Sequence, residues 1–204
     1  MIAVVDYGSG NVRAIVNIYK RLNIPVTLAN DAQGLADAER IVLPGVGSFD
    51  WAMQRLEQSG LRQALVDAVT IAKRPILGIC VGMQMMARSS DEGEQAGLGW
   101  IDAEVKRFPH NPQGDPLILP HMGWNTIELQ RQSPLLTGLE NNSRFYFLHS
   151  YHFLQRTNDV VLAKTNYGGR FTCAIEEGNC YGVQFHPEKS HGWGIRLLKN
   201  FAEV

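Results

Sequence analysis

Short apolar runs alternate with stretches of helical spacing through the first half of the chain. Residues 2–5, 26–29, 40–43 and 75–79 are runs too short for a helix and rich in Val, Ile and Leu, so each reads as a strand. Between them, 12–22 places Ile15, Ile18, Tyr19 and Leu22 on one helical face, and 49–72 carries a longer helical pattern that Gly60 interrupts. Pro44-Gly45-Val46-Gly47 ends the third strand, and a helix is expected over 82–88. Strands alternating with helices predict an α/β fold with a mostly parallel sheet covered on both faces. The second half changes character. Residues 98–108, 125–129, 144–153, 160–165, 171–176 and 181–185 read as strands, several joined by turns as short as 177–179. Such turns predict antiparallel pairs that extend the sheet, and 194–202 closes the chain as a helix. The Pro/Gly loop 111–116 is too short for a domain linker, so 1–204 reads as a single domain.

Composition narrows the function. The chain has 204 residues, 45% of them hydrophobic, and a net charge of −1. It carries no basic cluster with interleaved aromatics, so neither nucleic acid nor a membrane surface is the expected partner. The cysteines Cys80, Cys173 and Cys180 are odd in number and form no CxxC pair, which points away from a disulfide framework and a zinc site and toward a reducing, cytoplasmic compartment. No metal or cofactor is expected. The N-terminal run lacks a basic region and reads as the first strand.

Chemistry concentrates at Gly78-Ile79-Cys80-Val81-Gly82. A nucleophile between two glycines, after a buried strand and before a helix, has the form of a nucleophile elbow. There the start of the helix favours a thiolate, and the Val81 N–H is placed to donate to an oxyanion. Cys173 and Cys180 lack that setting and read as packing residues. A thiol nucleophile needs a base. Of the histidines, His186 stands at the end of the apolar run 181–185, followed by Pro187 and Glu188. In an extended chain Glu188 projects to the same side as His186 and can orient the ring, as the acid does in a Ser-His-Asp triad. The Pro44–Gly47 loop can complete an oxyanion hole opposite Val81 with an N–H of the Val46–Gly47 peptide. Asp6–Asn11 is Gly-rich but matches no nucleotide-binding pattern.

Together these residues resemble the class I (triad) glutamine amidotransferases. The segments that carry the likeness are Asp6-Tyr7-Gly8-Ser9-Gly10-Asn11, Leu43 to Phe49, Leu77 to Gln84, Gly97-Leu98-Gly99, Pro120 to Asn125, Tyr146 to Tyr151 and Gly182 to Ser190. Within the family the chain is most similar to the glutaminase subunits that serve histidine biosynthesis. The resemblance implies a flavodoxin-like sheet and a Cys80, His186 and Glu188 triad. It implies glutamine contacts at Gly47, Gln84, Glu92, Ser150 and Tyr151, and oxyanion donors at Val46, Gly47 and Val81. It also implies a (β/α)₈ cyclase as heterodimer partner, faced by Asn11, Trp124, Tyr146 and Lys189. Ser9, Val81 and Trp100 depart from the usual pattern. They resemble a paralogous branch that supplies ammonia for amino-sugar modification in surface polysaccharide synthesis. A cysteine peptidase or chaperone on a related fold, and a binding module with a decayed site, are the other readings the residues allow.

Overall fold

The computed structural model describes residues 1–109 and 117–204, so the loop expected at 111–116 lies outside the described residues. Four parallel strands form the first half: β1 (Ile2–Val5), β2 (Val26–Ala29), β3 (Arg40–Gly45) and β4 (Ile76–Cys80). Helices α1 (Val12–Arg21), α2 (Ala32–Ala36), α3 (Phe49–Gln58) and α4 (Arg62–Val66) connect them, and α4 runs on into a π-helical turn at Asp67–Ile71. A one-turn helix, α5 (Val81–Gln84), follows β4. Then come the strands β5 (Ser89–Ser90), β6 (Ala103–Arg107), β7 (His121–Thr126), β8 (Glu128–Leu129), β9 (Arg144–His149), β10 (Tyr151–Gln155), β11 (Val161–Asn166), β12 (Arg170–Glu177) and β13 (Cys180–Val183). Helix α6 (His191–Glu203) ends the chain.

Among the described residues the main sheet runs β2-β1-β3-β4-β13-β12-β10-β6-β5, with β11 and β8 branching from β12. The order β2-β1-β3-β4 is the start of a flavodoxin-like sheet. β13 is parallel to β4, pairing Gly182 with Gly78 and Val183 with Ile79. The last segment of the chain therefore ends beside the nucleophile strand. The antiparallel extension begins at β12, which pairs β13 through the turn at 178–179. β7 and β9 stand apart as a two-stranded ribbon.

The core is built from the strands that the apolar runs identify. Val4, Val42 and Leu77 lie in register across β1, β3 and β4 and are fully buried. Burying one such side chain contributes roughly 1.5–3 kcal/mol. Four expectations change. β3 runs through Pro44 to Gly45 instead of stopping at residue 43, because Gly45 pairs with Cys80 on β4. The helix expected at 82–88 is one turn, since Leu98 N–H and Ile101 N–H bond the Met85 and Met86 carbonyls and draw the chain into a loop. The run 98–108 is strand only at Ala103–Arg107. The run 144–153 is two strands, divided at Ser150, that enter different sheets.

Candidate active site

Cys80 ends β4 at φ 55° and ψ −113°, a left-handed backbone that costs a non-glycine residue about 1–3 kcal/mol. Surroundings hold it there: the next residue opens a helical turn, and Gly82 packs directly on the β3 backbone. A Cβ on Gly82 would overlap the Leu43 carbonyl oxygen. Cys80 is buried, with Sγ 3.8 Å from the Leu148 carbonyl oxygen and 3.7 Å from Gln184 Nε2. The expected help from a helix dipole is small, because α5 is only one turn long. A thiolate here draws instead on hydrogen-bond donors and on a neighbouring imidazolium.

That imidazolium is His186. Three residues past β13, its N–H bonds the Tyr146 carbonyl at 2.8 Å, which pins it against β9. Glu188 reaches it by a route other than the expected one. Pro187–Lys189 is a 3₁₀ turn, and this turn, rather than strand alternation, brings Glu188 Oε1 to 2.9 Å from His186 Nδ1. Both side chains are shielded, at 3% and 2% exposure. Glu188 accepts only, so Nδ1 carries the proton and Nε2 is left for Cys80. Burial pushes the His186 pKa down. The hydrogen bonds and charges of Cys80 and Glu188 outweigh burial, and the pKa is raised to about 10. The ring is therefore protonated at neutral pH.

A cavity of about 130 Å³ opens above this pair. Val46, Gly47, Cys80, Val81, Gln84, Glu92, Ser150, Tyr151 and His186 all line it, together with Leu148, His149 and Lys189. Every residue expected to act in catalysis, in oxyanion binding or on glutamine thus meets in one place, with Glu188 behind His186. Gly47 takes φ 88°, which favours glycine. Glu92 also caps α3, its Oε2 accepting from the Phe49 N–H at 2.8 Å. Burial raises its pKa. Gln84 donates from Nε2 to the Tyr151 carbonyl at 3.1 Å and to Gln184 Oε1 at 3.0 Å. With both protons used, its Oε1 remains an acceptor for a cationic group.

The Pro44–Gly47 loop is held by Ser9, which the sequence marked only as a departure from the family pattern. Ser9 Oγ accepts from the Val46 N–H at 3.0 Å and donates to the Val46 carbonyl at 3.1 Å. In this conformation the Val46 N–H is engaged, so its donation to an oxyanion requires that bond to open. Gln184 was missed, although a glutamine inside the apolar run 181–185 is a legible anomaly; it is fully buried. His149, on the cavity wall, was missed as well.

Trp124, Tyr146 and Lys189 form one surface. The Trp124 and Tyr146 rings lie 6.2 Å apart, and Lys189 Nζ sits 5.7 Å from the Tyr146 ring. Trp124 is 40% exposed. Asn11 is exposed at the start of α1, a helix that packs against the Pro187–Lys189 turn. Beside Trp124 a groove of about 570 Å³ runs past Arg144, His191, Trp193 and Arg196. Among the described residues, no group of three His, Cys, Asp or Glu side chains is arranged to hold a metal ion, and no helix is long and apolar enough to cross a membrane. Cys173 and Cys180 are buried in β12 and β13. Burial pushes the Cys173 thiol pKa far up and that of Cys180 to about 12, so neither is a ready nucleophile.

Residues 3–204 match the family described as glutamine amidotransferase class-I. The chain is 54% identical over 204 residues to imidazole glycerol phosphate synthase subunit HisH of Bdellovibrio bacteriovorus, covering 100% of both. It is 44% identical, again over 100% of both, to imidazole glycerol phosphate synthase subunit HisH 2 of Pseudomonas aeruginosa. A solved glutamine amidotransferase matches with TM-score 0.74 at 21% identity, covering 100% of this chain and 99% of that one. The PurLQS structure from Thermotoga maritima matches with TM-score 0.71 at 18% identity, covering 99% and 96%. At these identities the two structures show the fold alone.

Proposed function

The chain belongs to the class-I glutamine amidotransferase family, and we propose that it is the glutaminase subunit of an imidazole glycerol phosphate synthase. Residues 1–204 act as one amidotransferase domain in the cytoplasm, releasing ammonia from glutamine for a (β/α)₈ cyclase subunit in histidine biosynthesis. The observation that carries the chemistry is the strained Cys80 facing a His186–Glu188 pair across one small cavity. Full-length identity of 54% to a protein named as that subunit carries the pathway.

The reaction follows from the groups present. The Cys80 thiolate attacks the side-chain amide carbon of glutamine, and the carbonyl oxygen becomes an oxyanion. The Val81 N–H and a donor from the Val46–Gly47 peptide stabilise it; one such donor is worth about 10²–10³ in rate. The C–N bond breaks as His186 gives its Nε2 proton to the leaving nitrogen, which departs as ammonia. His186 then takes a proton from water, whose oxygen attacks the thioester; glutamate leaves and the thiolate–imidazolium pair is restored. Glu188 keeps Nδ1 protonated throughout. Gln84 Oε1 and Glu92 receive the substrate's α-ammonium, and the backbone of Ser150 and Tyr151 fixes the rest. Trp124, Tyr146, Lys189 and Asn11 meet the cyclase. Ser9 holds the carbonyl of the Val46–Gly47 peptide, which supports a low activity of the subunit alone, with docking freeing that peptide to donate through the Gly47 N–H.

One second reading has a specific observation behind it. Ser9, Val81 and Trp100 depart from the usual pattern, and their likeness to a paralogous branch favours a subunit feeding amino-sugar modification in surface polysaccharide. The chemistry here is the same and only the acceptor differs. The test is glutamate release by the purified chain, alone and with its cyclase. Activity is expected to be low alone, to rise strongly with the cyclase and an aminoimidazole-pathway ribonucleotide, and to vanish in Cys80→Ala. Full activity in Cys80→Ala overturns the triad, and stimulation by a sugar nucleotide instead selects the second reading.

A further inference from the structure

His149 lies on the cavity wall, yet neither of its ring nitrogens is free for the reaction. Nδ1 is 2.7 Å from the Tyr151 carbonyl oxygen, and Nε2 is 3.1 Å from His121 Nδ1. His121 Nε2 is in turn 3.3 Å from Asn125 Nδ2. Histidine contacts of this kind are ambiguous until a fixed acceptor assigns them, and here each end of the chain has one. The Tyr151 carbonyl can only accept, so His149 Nδ1 must carry the proton and Nε2 must accept. His121 Nδ1–H is then the donor, which leaves His121 Nε2 as the acceptor of an Asn125 proton.

The other end gives the same answer independently. Asn125 Nδ2 donates to the Asn166 carbonyl at 2.9 Å, and Asn125 Oδ1 accepts from the Thr126 N–H at 2.8 Å. The amide is thereby oriented with its second N–H toward His121. All three side chains are uncharged and every donor points the same way, from Asn125 toward Tyr151. Burial agrees: it pushes the His121 pKa down to about 4 and that of His149 to about 3. Packing also holds the His121 ring, stacked between Phe147 at 4.8 Å and Tyr167 at 4.0 Å.

The far end of the chain matters because of what the Tyr151 carbonyl also holds. It accepts from Gln84 Nε2, and Gln84 passes on to Gln184 Oε1, whose amide nitrogen faces Cys80 Sγ. The near end sits in the ribbon. His121 and Asn125 project from one face of β7, while Met122 and Trp124 project from the other and are exposed. We propose that Asn125, His121 and His149 form a directed, uncharged hydrogen-bond chain that positions the Tyr151 carbonyl and Gln84 for glutamine, linking the outer ribbon to the substrate pocket. This rests on the amidotransferase reading. The three are positioning residues: they set where glutamine binds, whereas Cys80, His186 and Glu188 carry the reaction.

Asparagine can replace the Nδ1–H of a histidine, whereas leucine fills similar space without a donor. The experiment measures glutamine affinity by calorimetry on Cys80→Ala complexed with the cyclase, with and without His149→Leu or His149→Asn. Loss of a buried donor predicts about 10- to 100-fold weaker binding for the leucine variant. Asparagine is expected to recover most of it. With Cys80 intact, the rate of alkylation by iodoacetamide is expected to stay unchanged in both. Equal affinity in the leucine variant, no recovery by asparagine, or alkylation that falls together with affinity overturns the proposal. If the parent Cys80→Ala complex binds no glutamine, the amidotransferase reading fails instead. The chain is then judged from ¹⁵N spectra of the free protein at neutral pH. Neutral His121 and His149 rings, both protonated at Nδ1, uphold it, and an Nε2–H tautomer or an imidazolium at either overturns it.

Discussion

Strands β1, β3 and β4 bury Val4, Val42 and Leu77 with no polar partner needed, whereas the β7–β9 ribbon buries His121 and His149 beside Phe145 and Phe147 and leaves Trp124 and Met122 outside. Burial of an aliphatic side chain is non-directional, so the parallel half is held by how much apolar surface it removes from water. A buried imidazole without its partner costs free energy, so the ribbon is held by which donor meets which acceptor. The candidate active-site cavity lies where the two regions meet. Cys80 comes from β4, while His186 N–H and Cys80 Sγ both lean on carbonyls of β9. The parallel half sets where Cys80 is, and the ribbon side sets what surrounds it.

The comparison can be broken from either side. The largest effect is expected at the junction. Glu188→Gln should lower kcat for glutamine by about 10²–10⁴, with KM little changed, because the His186 tautomer is no longer enforced. The pH profile sharpens this. The raised His186 pKa of about 10 means that its stabilising pair is fully present below the unfolded value near 6.5 and is lost as pH rises through about 10. Wild-type glutaminase activity should therefore fall at the alkaline end, and in Glu188→Gln that limb should move to lower pH.

Next comes the parallel core. Leu77→Ala should destabilise the fold by about 2–5 kcal/mol in urea unfolding, while the protein that remains folded keeps its affinity for glutamine. His149→Leu should lower glutamine affinity more than it lowers the stability of the fold, and equal loss of both properties in either case would erase the distinction between the regions. On the outer face of the ribbon, Trp124→Ala should weaken cyclase binding by roughly 30-fold, as for an exposed aromatic anchor, without altering glutamine affinity in the isolated subunit. The smallest effect is expected at Ser9→Ala. Loss of the hydroxyl frees the Val46 carbonyl and with it the Val46–Gly47 peptide, so basal glutaminase activity without the cyclase should rise by a few-fold. A fall would mean that Ser9 supports the active loop instead of restraining it.

Sequence alone determined the elements whose information is local. Each parallel strand was visible as a short apolar run, α1 as a helical face, and the Gly-x-Cys-x-Gly elbow as glycines where backbones must touch. The candidate triad was readable because a cysteine between glycines and a later His-Pro-Glu stand in a restricted order along the chain. What escaped is non-local. The division of 144–153 into two sheets depends on partners that lie far along the chain. The meeting of His186 with Glu188 through a 3₁₀ turn was reached for the wrong reason, since a His-Pro-Glu tripeptide fits either a strand or a turn. The hold of Ser9 on Val46, the place of Gln184 and the Asn125–His121–His149 chain are written in no motif. Their roles exist only once distant strands and loops have packed together, because a hydrogen bond is defined by the position of its partner and not by the residue that offers it.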